Sequence, residues 1–127
     1  MINCIFSISD VLYIDGVRQD ITLHTFLNEL TLKNGKSIQT LRKSVKKYLG
    51  IYRSIPLFIN SRILLVPIPL KNKDVFYFNY LALKDYIINE NELVLIFLDN
   101  FIQKIKISRY RSNNIIKNIL KVYDYWK

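Results

Sequence analysis

Arg42, Lys43, Lys46 and Lys47 lie on one side of a short amphipathic stretch running from Ser37 to Gly50, and the chemistry they offer is neutralisation of a polyanion. The apolar residues of that stretch, Ile38, Leu41, Val45, Tyr48 and Leu49, recur at the spacing of one helical face, and the cations take the other. Between Glu29 and Asp74 the chain carries ten basic residues and no acid, so no carboxylate stands one helical turn away to pair with them. A second acid-free run spans 100 to 123 and holds Lys104, Lys106, Arg109, Arg111, Lys117 and Lys121. The net charge is +9, from 19 basic and 10 acidic residues. A Lys-rich composition raises the total, but it does not by itself segregate the signs along the chain. The predicted phosphate-contacting set is therefore Arg42, Lys43, Lys46, Lys47, Arg53, Lys104, Lys106, Arg109, Arg111 and Lys117. Of these, the arginines at 42, 53, 109 and 111 are the better candidates for entering a narrow minor groove, whose negative potential favours arginine.

Other chemistries find fewer residues to rest on. His24 and Cys4 are the sole histidine and cysteine, which is too small an inventory for an imidazole or thiolate metal site or an internal disulfide. With three glycines the chain has no Gly-rich phosphate loop and no nucleophile elbow. His24 lies among Leu23 and Phe26, which favours a structural or surface role over general-base work with Ser7, Ser9 or Cys4. Glu90 and Glu92 flank a predicted turn, and Asp74 and Asp99 read as turn residues rather than magnesium ligands. No catalytic residue, cofactor or metal is expected. Phe76, Tyr77, Phe78 and Tyr80 share a predicted strand, where core packing is the first expectation and base stacking on one side the second.

The elements that must position these groups follow from periodicity. Ser37 and Gly50 mark the two ends of the basic helix, as N-cap and as left-handed terminator. Val11 to Ile14, Asp15-Gly16 and Val17 to Leu23 read as a hairpin through a type I′ turn. The stretch from Thr25 to Leu32 is compatible with a helical turn or a strand, and Asn34-Gly35 is a second turn. Pro56 to Pro67 reads as a hairpin with Asn60-Ser61 at its tip, ended by Pro67 and Pro69, which lack ladder donors. Val75 to Leu81 is a strand, with Leu83 to Ile87 as a short continuation or turn. Glu92 to Leu98 and Phe101 to Ile107 form a hairpin around Asp99-Asn100, the first strand central and the second half-exposed. Ser108 or Ser112 caps a last helix whose apolar face is Ile115, Ile116, Ile119, Leu120 and Tyr123. The expectation is one α+β domain over 1–127, a largely antiparallel sheet built from hairpins with two main helices at about 37–49 and 112–125. No run reaches the roughly 18 to 20 apolar residues of a membrane span. The N-terminus lacks the basic lead and small-residue cleavage site of a signal peptide, so the cytoplasm is the expected compartment.

From about Ile38 to Leu120 the order of features resembles the ComK family of competence transcription factors. The resemblance is carried by Arg42 and Lys43, Ser54-Ile-Pro-Leu-Phe-Ile59, Arg62-Ile-Leu-Leu-Val-Pro67, the aromatic segment Val75 to Tyr86, the hairpin at 93–107 and Ile107-Ser108 opening the last helix. Val66-Pro67-Ile68 stands where Phe-Pro-Thr is usual, and Phe76-Tyr77-Phe78 replaces a Cys-x-Trp pattern. The resemblance implies a transcriptional regulator that binds AT-rich promoter duplexes, assembles as a homo-oligomer and is a target of proteolytic adaptors. From the residues alone, two alternatives stand beside it. One is a basic module that docks an acidic protein partner without touching nucleic acid. The other is a small RNA-binding or nuclease-like protein working through the aromatic strand.

Overall fold

A computed structural model describes residues 2–126. Nine strands and three helices follow one another as β1 (Cys4–Ile8), β2 (Val11–Ile14), β3 (Val17–Gln19), α1 (Leu23–Lys33), α2 (Ile38–Leu49), β4 (Leu57–Asn60), β5 (Ile63–Pro69), β6 (Val75–Asn79), β7 (Leu83–Ile88), β8 (Leu93–Phe97), β9 (Ile102–Ile105) and α3 (Arg109–Trp126) among the described residues. The strands form two antiparallel sheets, a six-stranded one in the order β3-β2-β1-β6-β5-β4 and a three-stranded one in the order β7-β8-β9. The fold is α+β, as expected.

Side-chain alternation divides the larger sheet between two cores. Cys4, Phe76, Phe78, Leu64, Val66 and Ile68 face the small sheet and α3, and meet Leu93, Leu95, Phe97, Ile115, Ile116 and Ile119. Ile5, Tyr77, Leu57, Ile59 and Leu65 face the other way, onto Leu27 of α1 and Ile38 and Leu41 of α2. Helix α2 spans the boundary, because Val45 and Leu49 at its C-terminal end pack into the first core. No described helix is long and apolar enough to cross a membrane.

Several local expectations are corrected. The ambiguous stretch at 25–32 is a full helix, capped where the Thr25 amide donates to Thr22 Oγ1 at 3.2 Å. Leu23, Phe26, Leu27 and Leu30 carry the i, i+3, i+4, i+7 pattern that identifies it. Pro67 does not end β5 but lies within it, opposite Tyr77, and the strand runs on to end at Pro69, opposite Val75. Both prolines are tolerated because β4 pairs no further along β5 than Leu65, so beyond that point β5 is an edge. The tip of that hairpin is Ser61-Arg62, one residue on from the expected position, and β3 stops at Gln19. Helix α3 begins at Arg109 rather than 112, because Ser108 is the cap, accepting from the Arg111 amide at 3.2 Å. Ser112 is buried inside that helix, Val122 is buried, and Leu120 is 45% exposed. Tyr48 likewise leaves the apolar face of α2 and is 57% exposed.

Candidate nucleic-acid interface

Helix α2 forms as its sequence dictates. Ser37 Oγ accepts from the Thr40 amide at 3.4 Å, and Gly50 terminates the helix in the left-handed conformation with φ 67°. Burial of Ile38, Leu41 and Val45 turns Arg42, Lys43, Lys46 and Lys47 to solvent. Arg42 is engaged with the protein as well. Burial pushes the Tyr77 phenol up from its ordinary value, and the charge of Arg42 and its hydrogen bond to Tyr77 oppose that rise.

The second group of cations gathers elsewhere. One surface depression of about 750 Å³ is lined by Arg53, Ser54, Pro69, Arg111, Asn114, Ile115 and Asn118. A second, of about 680 Å³, is lined by Phe6, Pro69, Leu70, Lys71, Gln103, Lys104, Ile105, Lys106 and Arg111. Pro69 and Arg111 belong to both, so the two depressions adjoin across these residues and together make up a basic groove. Five cations line it, Arg53, Lys71, Lys104, Lys106 and Arg111, and among the described residues no carboxylate does. The two acid-free runs therefore meet in space, through Arg53 and Lys71 of the first and Lys104, Lys106 and Arg111 of the second.

The local folding explains the convergence. The turn after β5 carries Lys71, β9 and the segment after it carry Lys104 and Lys106, and α3 opens beside them with Arg111 in its first turn. Four successive residues, 103 to 106, line the second depression. Alternate side chains of a strand point oppositely, so the backbone edge of β9, paired among the described residues with β8 alone, is part of that wall.

Not every predicted residue joins the groove. The four α2 cations line neither depression, and Arg42 sits instead in a separate hollow with His24, Asn28 and Gln39. Arg109, two positions from Arg111, faces roughly the opposite side of α3, and its amide donates to the Glu90 carbonyl at 2.8 Å. Lys117 is exposed on the outer crest of α3. Lys71 is the groove cation absent from the predicted set, although its place in the acid-free run from 30 to 73 was available as a signal.

The other chemistries also find their places. Phe76, Tyr77 and Phe78 are buried in the two cores and closed to base stacking, while Tyr80 lies past the end of β6 and is half-buried. His24 is exposed on α1, its Nε2 3.0 Å from Nδ2 of the Asn28 side chain. Asp99 accepts from the Phe101 amide at 3.0 Å and from the Asn3 side chain at 2.9 Å, bonds that hold its carboxyl below the usual range. Asp74 accepts from the Ser9 amide at 2.9 Å. Among the described residues no group of three or more His, Cys, Asp or Glu side chains could hold a metal ion. Comparison of the chain with protein-family models, with curated proteins and with solved structures yields no match.

Proposed function

We propose that this protein is a DNA-binding transcriptional regulator of the competence-factor type, engaging AT-rich duplex DNA through the groove shared by Arg53 and Arg111. The observation that carries the reading is a five-cation groove lined by no carboxylate among the described residues. Clustered like charges destabilise a folded protein, and a polyanion that releases counterions on binding relieves that cost. Arg53 and Arg111 flank the same depression and are the groups best suited to enter a narrow minor groove, while Lys71, Lys104 and Lys106 set affinity through phosphates. The α2 quartet is a second electrostatic surface that orients the duplex. The resemblance of Ser54 to Ile59 and Arg62 to Pro67 to the ComK family supports the regulatory part of the reading.

The test is retardation of an AT-rich duplex by the Arg53→Glu/Arg111→Glu variant. Loss of binding with unchanged circular dichroism and melting is expected. Retardation equal to that of the unmodified protein would remove the groove from the mechanism. The free edge of β9 favours one competing reading, an acidic segment adding as a strand beside Lys104 and Lys106. Failure of the unmodified protein to retard any nucleic acid would select that reading.

A further inference from the structure

Helix α3 extends the groove toward a second feature that the charge pattern does not contain. Arg111, Asn114 and Asn118 line the first depression, and the same stripe continues through Lys121 to Tyr125. On a helix of 100° per residue these five positions fall within an arc of about 80°. The stripe is about 21 Å long from Arg111 to Tyr125 at 1.5 Å per residue, or about six base-pair steps along one DNA strand. Asp124, the acid nearest its far end in sequence, lies about 100° around the helix from the centre of the stripe.

At that far end two tyrosines from different helices hold their rings nearly parallel. Tyr48 of α2 and Tyr125 of α3 have ring centroids 6.0 Å apart with 15° between planes. Tyr125 is braced edge-on by Trp126 at 4.4 Å, and Lys47 Nζ lies 5.2 Å from the Tyr48 ring centroid. Neither tyrosine is covered, with Tyr48 57% and Tyr125 50% exposed. Core packing accounts for aromatic pairs inside the protein, such as Phe76 with Phe78, but not for two aligned rings left half in water beside a cation. Aligned exposed rings next to a backbone-neutralising charge are the parts of a nucleobase platform.

We propose that Tyr48 and Tyr125 form a stacking platform for an unpaired base, contributed by DNA that runs along the α3 stripe from the Arg53/Arg111 groove. Lys47 and Lys121 neutralise the phosphates that flank the stacked nucleotide, and Asn114 and Asn118 bridge the interval with uncharged hydrogen-bonding groups. The substrate class is a duplex with a single-stranded segment, and AT-rich DNA opens such segments most readily because its pairs are the weakest. The inference rests on the nucleic-acid reading of the groove, but it concerns a different set of residues.

The experiment compares a blunt AT-rich duplex with the same duplex carrying a six-thymidine single-stranded tail. Affinity is read by retardation, and Trp126, the sole tryptophan, reports through its fluorescence. About tenfold tighter binding of the tailed duplex is expected, with a change in Trp126 emission that the blunt duplex does not produce. The Tyr48→Leu/Tyr125→Leu variant keeps apolar contact between the helices and should lose the tail's advantage while binding the blunt duplex normally. The Tyr48→Phe/Tyr125→Phe variant keeps both rings and should retain the advantage. Equal binding of tailed and blunt duplex by the unmodified protein, or retention of the advantage by the leucine variant, overturns the platform and leaves the groove reading standing. Absence of binding to either duplex overturns both.

Discussion

At the scale of single residues, burial and hydrogen bonding decide roles that residue type leaves open. Asn79 is fully buried at the end of β6. Its Oδ1 accepts from the amides of Leu64 and Leu81, and its Nδ2 donates to the carbonyls of Ile2 and Arg62, so it ties the N-terminal segment and two strands together. Nothing in periodicity distinguishes it from a turn asparagine. Cys4 is a small core hydrophobe, buried in β1. Burial first, and then the charges of Asp15 and Asp99, raise its thiol from 9.0 to about 12. The folded state therefore prefers the neutral thiol. Below pH 9 both folded and unfolded chains carry it protonated and there is no effect. Between pH 9 and about pH 12 the unfolded chain gains stability by ionising, so folding stability falls as pH rises. Urea titrations at pH 8 and pH 10.5 should show a loss at the higher pH that the Cys4→Ala variant lacks. An equal loss in both proteins would assign it to other groups. In the native state at pH 8, Cys4 should also resist alkylation.

At the scale of elements, the caps of α2 set the direction of four cations and of Tyr48. Gly50 has φ 67°, and a Cβ placed there would meet nothing within 4 Å, so substitution costs backbone strain alone. Gly50→Ala should cost about 1 kcal/mol, and Ser37→Ala about 0.5 to 1 kcal/mol through its long capping bond, both read from urea midpoints. A neutral result for Gly50→Ala would mean that the helix ends without its left-handed residue. Lys36, between α1 and α2, donates its ammonium to the carbonyls of Phe58 and Ile59. Its charge thereby blunts the outer strand of the large sheet.

At the scale of the whole molecule, charge is divided between two surfaces. Each cation that contacts a phosphate adds about 0.9 to the steepness of the salt dependence of binding, so the groove by itself predicts a slope of roughly −4 to −5. The Lys43→Glu/Lys46→Glu/Lys47→Glu variant should bind more weakly with a shallower slope, yet still retard duplex DNA at about 50 mM salt, because Arg53 and Arg111 remain. Complete loss of binding at low salt would make α2 the primary surface and the groove secondary. Isothermal titrations between 50 and 200 mM salt separate these outcomes.

The extent to which the chain could be read in advance follows from which forces are local. Helix α2, with its cap residues, its terminator and its solvent-facing cations, was legible because capping, propensity and amphipathic spacing act within one or two turns. The Asp15-Gly16 turn was legible for the same reason, and both residues take positive φ, 50° and 82°. The start of α3 was misplaced by three residues because Ser108 and Ser112 are equally good caps in isolation, and only the packing of Ser112 into the core separates them. Pro67 was misread as a strand end because a proline's cost depends on whether a neighbouring strand needs its missing donor. The convergence of Arg53, Lys71 and Lys104 with Arg111, and the pairing of Tyr48 with Tyr125, lay beyond the sequence altogether. Arg53 and Lys71 stand tens of positions from Arg111, as Tyr48 does from Tyr125, and no local force brings them together. What the chain determined by itself is that the positive charge is segregated and that α2 exposes four cations. Tertiary structure alone, by stacking two sheets and laying α3 across them, decided that the two charged runs meet in one groove and that the groove leads to a pair of exposed rings.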